Sequence, residues 1–404
     1  MDSWRLVRDR PKHRLLDLTR LLSRAGRRLT GVDRVEFAYL RRFLSDAEPV
    51  HGLIATSLGF LLLDRSGMSA VQSALISGFW GKRGLVSRLS LKLDPTRQAA
   101  LSLARYHAVD RCRLHGIAAM LARHAPDGVD YYNVGHSNLS LPTLLEVGQL
   151  TGSRRNVLIH DTIPLDFPQY QRPETVAGFR RKLGAALAQS DRIICNSYET
   201  RAGIARHAAP HSPGPAMIVA HLGVDLATPD PAALPSGLPL DRPYFVTLGT
   251  IEPRKNHVLL LNIWDRFASD ENAPHLFICG NRGWRNEEIF ARLDRGISHV
   301  VELPGLSDAA IAALLRGARA MLFPSFAEGF GLPPVEAAAL GVPVICGNLA
   351  IYREVLGDTP VYLDPTDGYL WEKYIRSLTA KLSRPEPITP PNWEAHFKIV
   401  LSID

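Results

Sequence analysis

Short apolar runs and longer stretches with apolar positions three and four apart alternate along this chain. The short runs read as buried strands and the longer stretches as helices, and their alternation favours parallel sheets with helices on both faces. In the first half the runs at residues 15–18, 53–55, 131–134, 157–159, 192–195 and 217–219 predict strands. Helical spacing falls at 34–44, 95–123 and 173–189. Residues 228–243 carry five prolines and little periodicity, which marks a linker between a first domain, 1–227, and a second, 244–382. In the second domain strands are predicted at 244–248, 275–279, 300–303, 320–323, 342–346 and 361–363. Helices are predicted between them at 257–267, 287–294, 307–316 and 335–340, and after them at 367–382. A last segment, 383–404, ends in a helical stretch.

In such sheets ligands bind beyond the carboxyl ends of strands, so the residues that follow strands are the first candidates for chemistry. After the run at 320–323 comes Pro324-Ser325-Phe326-Ala327-Glu328-Gly329-Phe330-Gly331-Leu332-Pro333-Pro334-Val335-Glu336. Its glycines expose backbone N–H groups at a helix start, a place suited to an anion. Glu328 and Glu336, eight positions apart, would repel that anion and are better placed to accept from hydroxyls on whatever carries it. A sugar nucleotide has both parts.

Gly249-Thr250-Ile251-Glu252-Pro253-Arg254-Lys255 follows the first strand of the second domain. Arg254 can grip a phosphate through two N–H groups and Lys255 supplies a point charge; the plain alternative is a solvated basic turn. His160 and Asp161 follow the run at 157–159. His160 is a candidate for contact with a transferred sugar or a leaving phosphate. Asp161 orients it, accepts from a hydroxyl, or caps the next segment. Asn133, His136 and Ser137 lie on a polar turn after another strand, either touching substrate or holding the turn. Gly31 sits on a loop, residues 29–34, suited to close approach of a ligand.

Charge and composition narrow the picture without choosing a ligand. The net charge is +7 over 404 residues, with 46% hydrophobic and 22% charged positions. The basic residues form no long run, and no zinc-finger or RNA-binding signature is present, which argues against a nucleic-acid partner. The four cysteines are far apart, with no C-x-x-C, so no metal site or disulfide framework is indicated. G-x-G-x-x-G, the P-loop, the nucleophile elbow and H-E-x-x-H are all missing. Neither a leader core nor a membrane span is visible, so the cytoplasm is the expected compartment. Residues 80–93 mix Lys82, Arg83, Arg88 and Lys92 with apolar side chains and no acid, which suits an anionic membrane surface or an ordinary surface helix.

Taken together these residues resemble the retaining glycosyltransferases of family 4. Glu328 to Glu336 matches that family's E-x7-E motif with its flanking Pro-Ser and Glu-Gly-Phe-Gly-Leu-Pro. Glu252-Pro253-Arg254-Lys255-Asn256, His160-Asp161, the loop at 280–284, residues 304–308 and Glu354 are similar to other family positions. The resemblance implies the GT-B fold, two facing Rossmann-like α/β domains with an interdomain cleft, and a last segment returning to the first domain. It implies Glu328 on the donor sugar, Glu336 on the ribose, Arg254 and Lys255 on the diphosphate, and His160 on the sugar from the other domain. The backbone of Gly329, Phe330, Gly331 and Leu332 would bind sugar and phosphate. Thr250 stands where many members carry an arginine after the glycine, and Arg254 would take over that role. The form of these motifs is similar to a bacterial polysaccharide-assembly branch in which mannosyltransferases using GDP-mannose are common.

The expected reaction is therefore transfer of a hexose from a nucleoside diphosphate sugar to a hydroxyl of a glycan or lipid-linked glycan, with retained configuration and without metal or other cofactor. A peripheral contact with the inner membrane face fits a lipid-linked acceptor. A sugar-nucleotide epimerase or hydrolase of similar fold, and a non-catalytic glycan-binding member, are the rival readings.

Overall fold

A computed structural model describes residues 13–88, 93–209, 214–381 and 383–402. The chain divides into two units, each built round one sheet. The first comprises Met1–His160, Ala177–Asn196 and Ile204–Val219, and the second Asp161–Val176, Ser197–Gly203 and Ala220–Asp404.

The first unit holds β1 (His13–Asp17), β2 (Val50–Thr56), β3 (Gly59–Leu63), β4 (Ala108–Cys112), β5 (Val129–Asn133), β6 (Arg154–Ile159), β7 (Arg192–Cys195) and β8 (Ala216–Val219). Their order in the sheet is β4-β3-β2-β1-β5-β6-β7-β8. From β2 to β8 neighbouring strands are parallel, whereas β2–β3 and β3–β4 pair antiparallel. The strands β5 and β6 are almost wholly buried, as strands covered on both faces must be.

Two features of this unit differ from the sequence expectation. The antiparallel edge is added to a sheet expected to be parallel, because β2 and β3 are joined by a loop too short for a crossover. The stretch read as one helix at 95–123 is instead a helix Pro95–His107, then β4, then a helix Ile117–His124. β4 lies at the sheet edge with alternate residues exposed. Its Asp110 and Arg111 hide the strand's period of two from a count of apolar positions.

The second unit holds β9 (Tyr244–Leu248), β10 (His275–Cys279), β11 (Val300–Leu303), β12 (Ala320–Phe323), β13 (Val344–Gly347) and β14 (Val361–Leu363). Their order is β11-β10-β9-β12-β13-β14, and the recorded pairings are all parallel. Phe245, Ile278, Leu322 and Ile345 from four strands pack with Leu260, Ile263, Trp264 and Trp371 from the covering helices. The two buried indoles stay hydrogen-bonded: Trp264 Nε1 donates to the Pro274 carbonyl at 2.8 Å and Trp371 Nε1 to that of Asp364 at 2.9 Å. Before β9, the proline-rich stretch forms a 3-10 turn at Pro231–Ala233, with the Asp230 N–H donating to the Ala309 carbonyl. The last helix, Trp393–Val400, belongs to this second unit.

Candidate active site

The chain runs outward from β9 to β10 and β11, then returns to the other side of β9 as β12. At such a reversal the loops after the two neighbouring strands part and leave a crevice beyond their carboxyl ends. Arg254 and Lys255 follow β9, and Glu328 follows β12. Distant in sequence, they meet because their strands are neighbours.

The meeting is an ion-pair cluster. Glu328 Oε1 lies 2.5 Å from Lys255 Nζ and 2.7 Å from Arg254 Nη1. Arg254 Nε lies 2.8 Å from Glu252 Oε1, and its Nη1 also donates to the Ala327 carbonyl at 2.8 Å. The Phe326 N–H donates to the Arg254 carbonyl, so the two loops are joined through backbone as well as charge. Lys255 Nζ lies 4.2 Å from the centre of the Phe323 ring, a cation–π contact. Gly249 has φ +140°, and a Cβ there would lie 3.3 Å from Lys255 Cε, so the lysine stem passes over a residue that needs to be small.

Burial and charge act against each other here. Burial raises the Glu328 carboxyl, but the Arg254 and Lys255 charges outweigh it and hold its pKa at about 2. Arg254, although buried, is held above its ordinary value by Glu328 and Glu252. Burial lowers Lys255, with Glu328 opposing that shift and Arg254 adding to it. Two more carboxyls face the cations: Glu252 and Asp161 are both raised by burial, with Arg254 pulling each back. Asp161 also accepts from the Ile163 N–H at 3.1 Å.

The glycine-bearing loop leads into a helix, Leu332–Ala339, whose N-cap Gly331 has φ +80°. A Cβ on Gly331 would lie 2.5 Å from Tyr352 Cε1, so both backbone and packing require glycine. The helix starts three residues earlier than the sequence pattern suggests and contains Pro333 and Pro334 in its first turn. Prolines have no N–H, which narrows the expected anion-binding helix start to Leu332 and the loop amides before it. Glu336 falls in the second turn rather than the first and is half-buried. Gly329 and Leu332 are half-buried, and Phe330 is buried with its ring 6.1 Å from that of His221. Thr250 is half-buried on the turn after β9.

Several groups at this site carried no assigned role in the sequence reading. Glu252 grips Arg254 from two positions away, a signal visible only once the 3-10 turn Pro253–Lys255 is known. Tyr170 stacks on Phe326 at 5.7 Å and 11°, and Trp284 Nε1 donates to the Tyr170 carbonyl at 3.2 Å. Glu354, picked out only by resemblance, accepts from the N–H groups of Tyr198 and Glu199 and lies 2.7 Å from His221 Nε2. It thus caps the start of the helix Tyr198–His207.

The first unit gathers its own candidates. His160 Nε2 donates to the Val134 carbonyl at 2.8 Å, and its ring lies 5.1 Å from that of His136. His136 Nε2 donates to the Leu158 carbonyl at 2.6 Å, and the residue has φ +61°. Burial is the main cause that lowers both imidazoles, His160 to about 4. Asn133 Oδ1 accepts from the His136 N–H at 3.0 Å, and its Nδ2 donates to Tyr131 Oη at 3.1 Å. Ser137 is exposed on the same turn, and Gly31 is the exposed first residue of the helix Gly31–Ser45. In the basic stretch at 80–93, Phe79 just before it is 75% exposed and Leu85 within it 81%, whereas Trp80 is buried. Leu89 to Lys92 and the Arg88 side chain lie outside the described residues. Among the described residues no helix is long and apolar enough to cross a membrane.

The family Glycosyl transferases group 1 matches residues 234–384, the stretch that carries the ion-pair cluster. That match is a similarity over this stretch, which is less than half of the chain. Serotype-specific mannosyltransferase WbdA of Escherichia coli is 29% identical over 231 residues, 53% of this chain and 28% of that protein. O-antigen chain mannosyltransferase B of Escherichia coli is 36% identical over 127 residues, 31% of this chain and 33% of that protein. The chain thus spans about a third or less of the length of these relatives. Among solved structures, Anabaena Alr3699/HepE in complex with UDP and glucose matches 91% of this chain and 90% of its own with a TM-score of 0.60 at 13% identity. At that identity the likeness speaks for the fold, and the fold is GT-B.

Proposed function

We propose that this chain is a retaining glycosyltransferase that moves a hexose, mannose first among the candidates, from a nucleoside diphosphate sugar to a hydroxyl of a glycan or lipid-linked glycan in cell-surface polysaccharide synthesis. The observation that carries the proposal is the convergence of Arg254, Lys255 and Glu328 beyond the ends of β9 and β12. The two mannosyltransferase relatives favour mannose and a polysaccharide product.

In this reading Arg254 and Lys255 meet the negative charge that builds on the diphosphate as the sugar departs. Preorganised charges in a buried site stabilise such a transition state without reorganising. These two side-chain cations take the part that a metal would otherwise take. Glu328 accepts from sugar hydroxyls, Glu336 from the ribose, and Gly329, Phe330, Gly331, Leu332 and Thr250 line the donor. His160 meets the transferred sugar, with Asp161, His136, Ser137 and Gly31 as further substrate contacts, while Asn133 holds the turn that carries His136. Glu328 is assigned to hydroxyl contact rather than nucleophilic attack. The acceptor therefore attacks from the face the diphosphate leaves, and the departing phosphate takes its proton.

A thermal-shift and turnover screen over UDP-, GDP- and ADP-sugars tests the reading, since a ligand that binds the folded state raises the melting temperature by mass action. GDP-mannose is expected to give the largest shift and an acceptor-dependent α-linked product. Donor conversion with no acceptor added would favour the epimerase or hydrolase, and no shift with any sugar nucleotide would sink the donor site. The exposed Phe79 and Leu85, with Lys82 and Arg83 between them, support peripheral contact with an anionic membrane face. Sedimentation with phosphatidylglycerol vesicles, lost on Lys82→Glu with Arg83→Glu, is the outcome expected.

A further inference from the structure

Glu328 carries two duties that cannot be served at once. The proposed function has its carboxylate reading sugar hydroxyls, yet its Oε1 is gripped by both Lys255 and Arg254 and its side chain is 7% exposed. Those same two cations are the groups assigned to the diphosphate. Asp161, Glu252 and Glu328 lie near Arg254, and with Lys255 the five side chains, when ionised, sum to one negative charge. A diphosphate entering that cluster adds at least two more, and the repulsion is relieved only if a carboxylate leaves the cations.

Glu252 is the less free to leave. It is the N-cap of the turn that carries Arg254, is 2% exposed, and holds the guanidinium at Nε, whereas Glu328 holds it at Nη1. Asp161 is engaged with the Ile163 N–H. Glu328 stands on the loop after β12, next to Gly329 and three residues before the left-handed Gly331, where backbone adjustment is cheapest.

We propose that Glu328 is a built-in counter-ion that the donor diphosphate replaces on Arg254 and Lys255, so that the carboxylate is handed to the sugar hydroxyls only when phosphate is bound. Sugar recognition is then conditional on phosphate recognition, and the two halves of the donor are coupled through one side chain. This rests on the donor-site reading above.

The exchange predicts an effect opposite in sign to the loss of an ordinary contact. Binding of inorganic pyrophosphate, UDP and GDP is measured by calorimetry for the wild type and for Glu328→Gln at one pH and ionic strength. Pyrophosphate, and whichever nucleoside diphosphate binds, should be held about fivefold tighter or more by the variant, in the usual range of coupling between sites. The matching nucleotide sugar should gain less than its diphosphate. Equal or weaker pyrophosphate binding by Glu328→Gln overturns the exchange. Should that variant fail to fold, Glu328→Asp, shorter by one methylene, should show the same direction with a smaller gain, and no gain there overturns it equally. The donor-site reading fails on a different result: a wild type that binds no nucleoside diphosphate and no nucleotide sugar. A wild type that binds them, with a variant of unchanged affinity, removes only the exchange.

Discussion

Two polar clusters at strand ends, one in each sheet, are satisfied in different ways. In the first, Asp17 accepts from Tyr131 Oη and Asn138 Nδ2 at 2.9 Å each and from the Thr19 N–H at 3.0 Å. Asn133 and His160 likewise bond to neighbouring backbone and hydroxyl groups of the same sheet end. In the second, Glu328 has two cations from another strand end as its recorded partners. Neutral, local partners fix the shape of a turn, whereas charged side chains are partners that an ionic ligand can exchange. Position after a strand therefore nominates a residue, and the kind of partner it holds decides whether an ionic ligand can displace that partner.

Acid gives the largest effect expected and tests both sheets together. His160 in the first unit and His396 in the second are each held at about 4, mainly by burial. A histidine whose folded pKa is below its unfolded value of about 6.5 loses stability as pH falls from there through 4, because the unfolded chain binds the proton first. Each contributes on the order of 3 kcal/mol across that window. Glu328, held at about 2, adds a further loss below the ordinary carboxylate range. Melting temperature should fall steeply between pH 6.5 and 4, and a flat profile would remove the assignment.

Lys255→Ala sharpens the comparison from the charged side. It breaks a buried ion pair, at a cost of about 3–5 kcal/mol in stability. It should also lower turnover at least about tenfold, or roughly 1.4 kcal/mol of barrier. Wild-type turnover in the folded variant would mean that the cluster is scaffold after all. Gly331→Ala comes next: a left-handed backbone costs about 1–3 kcal/mol for a side-chain-bearing residue, before the contact with Tyr352 is counted. Urea denaturation measures it. Smallest is Asn133→Ala, which removes two hydrogen bonds of a buried side chain and should cost about 1–2 kcal/mol with turnover little changed. A full loss of turnover with unchanged stability would move Asn133 from scaffold to substrate contact.

Much of this was legible in the chain itself. The apolar runs at 244–248, 275–279 and 320–323 reappear as β9, β10 and β12 with the same bounds, because strands covered on both faces are written as continuous apolar stretches. Periodicity failed where tertiary pairing decides. β4 is an edge strand with charged side chains, and β3 belongs to a hairpin whose turn carries no Asn-Gly or Asp-Gly signal. The roles of Arg254, Lys255 and Glu328 could be nominated from their places after strands. Their mutual ion pairing could not, since it depends on β12 returning beside β9. The pairing of Glu252 with Arg254 depends likewise on a local turn whose geometry the residue types leave open.

The buried cysteines give each sheet its own clock. Cys195 lies in β7 of the first unit, and Cys279 and Cys346 lie in β10 and β13 of the second, all as thiols. Burial pushes Cys279 and Cys346 up to about 12, and alkylating reagents attack the thiolate. Labelling at these positions therefore waits for the strands to open. Peptide-resolved mass spectrometry after timed alkylation would read the opening rate of the first sheet from Cys195 and of the second from Cys279 and Cys346, with no engineered probe. Cys112, half-buried in the edge strand β4, should be modified first.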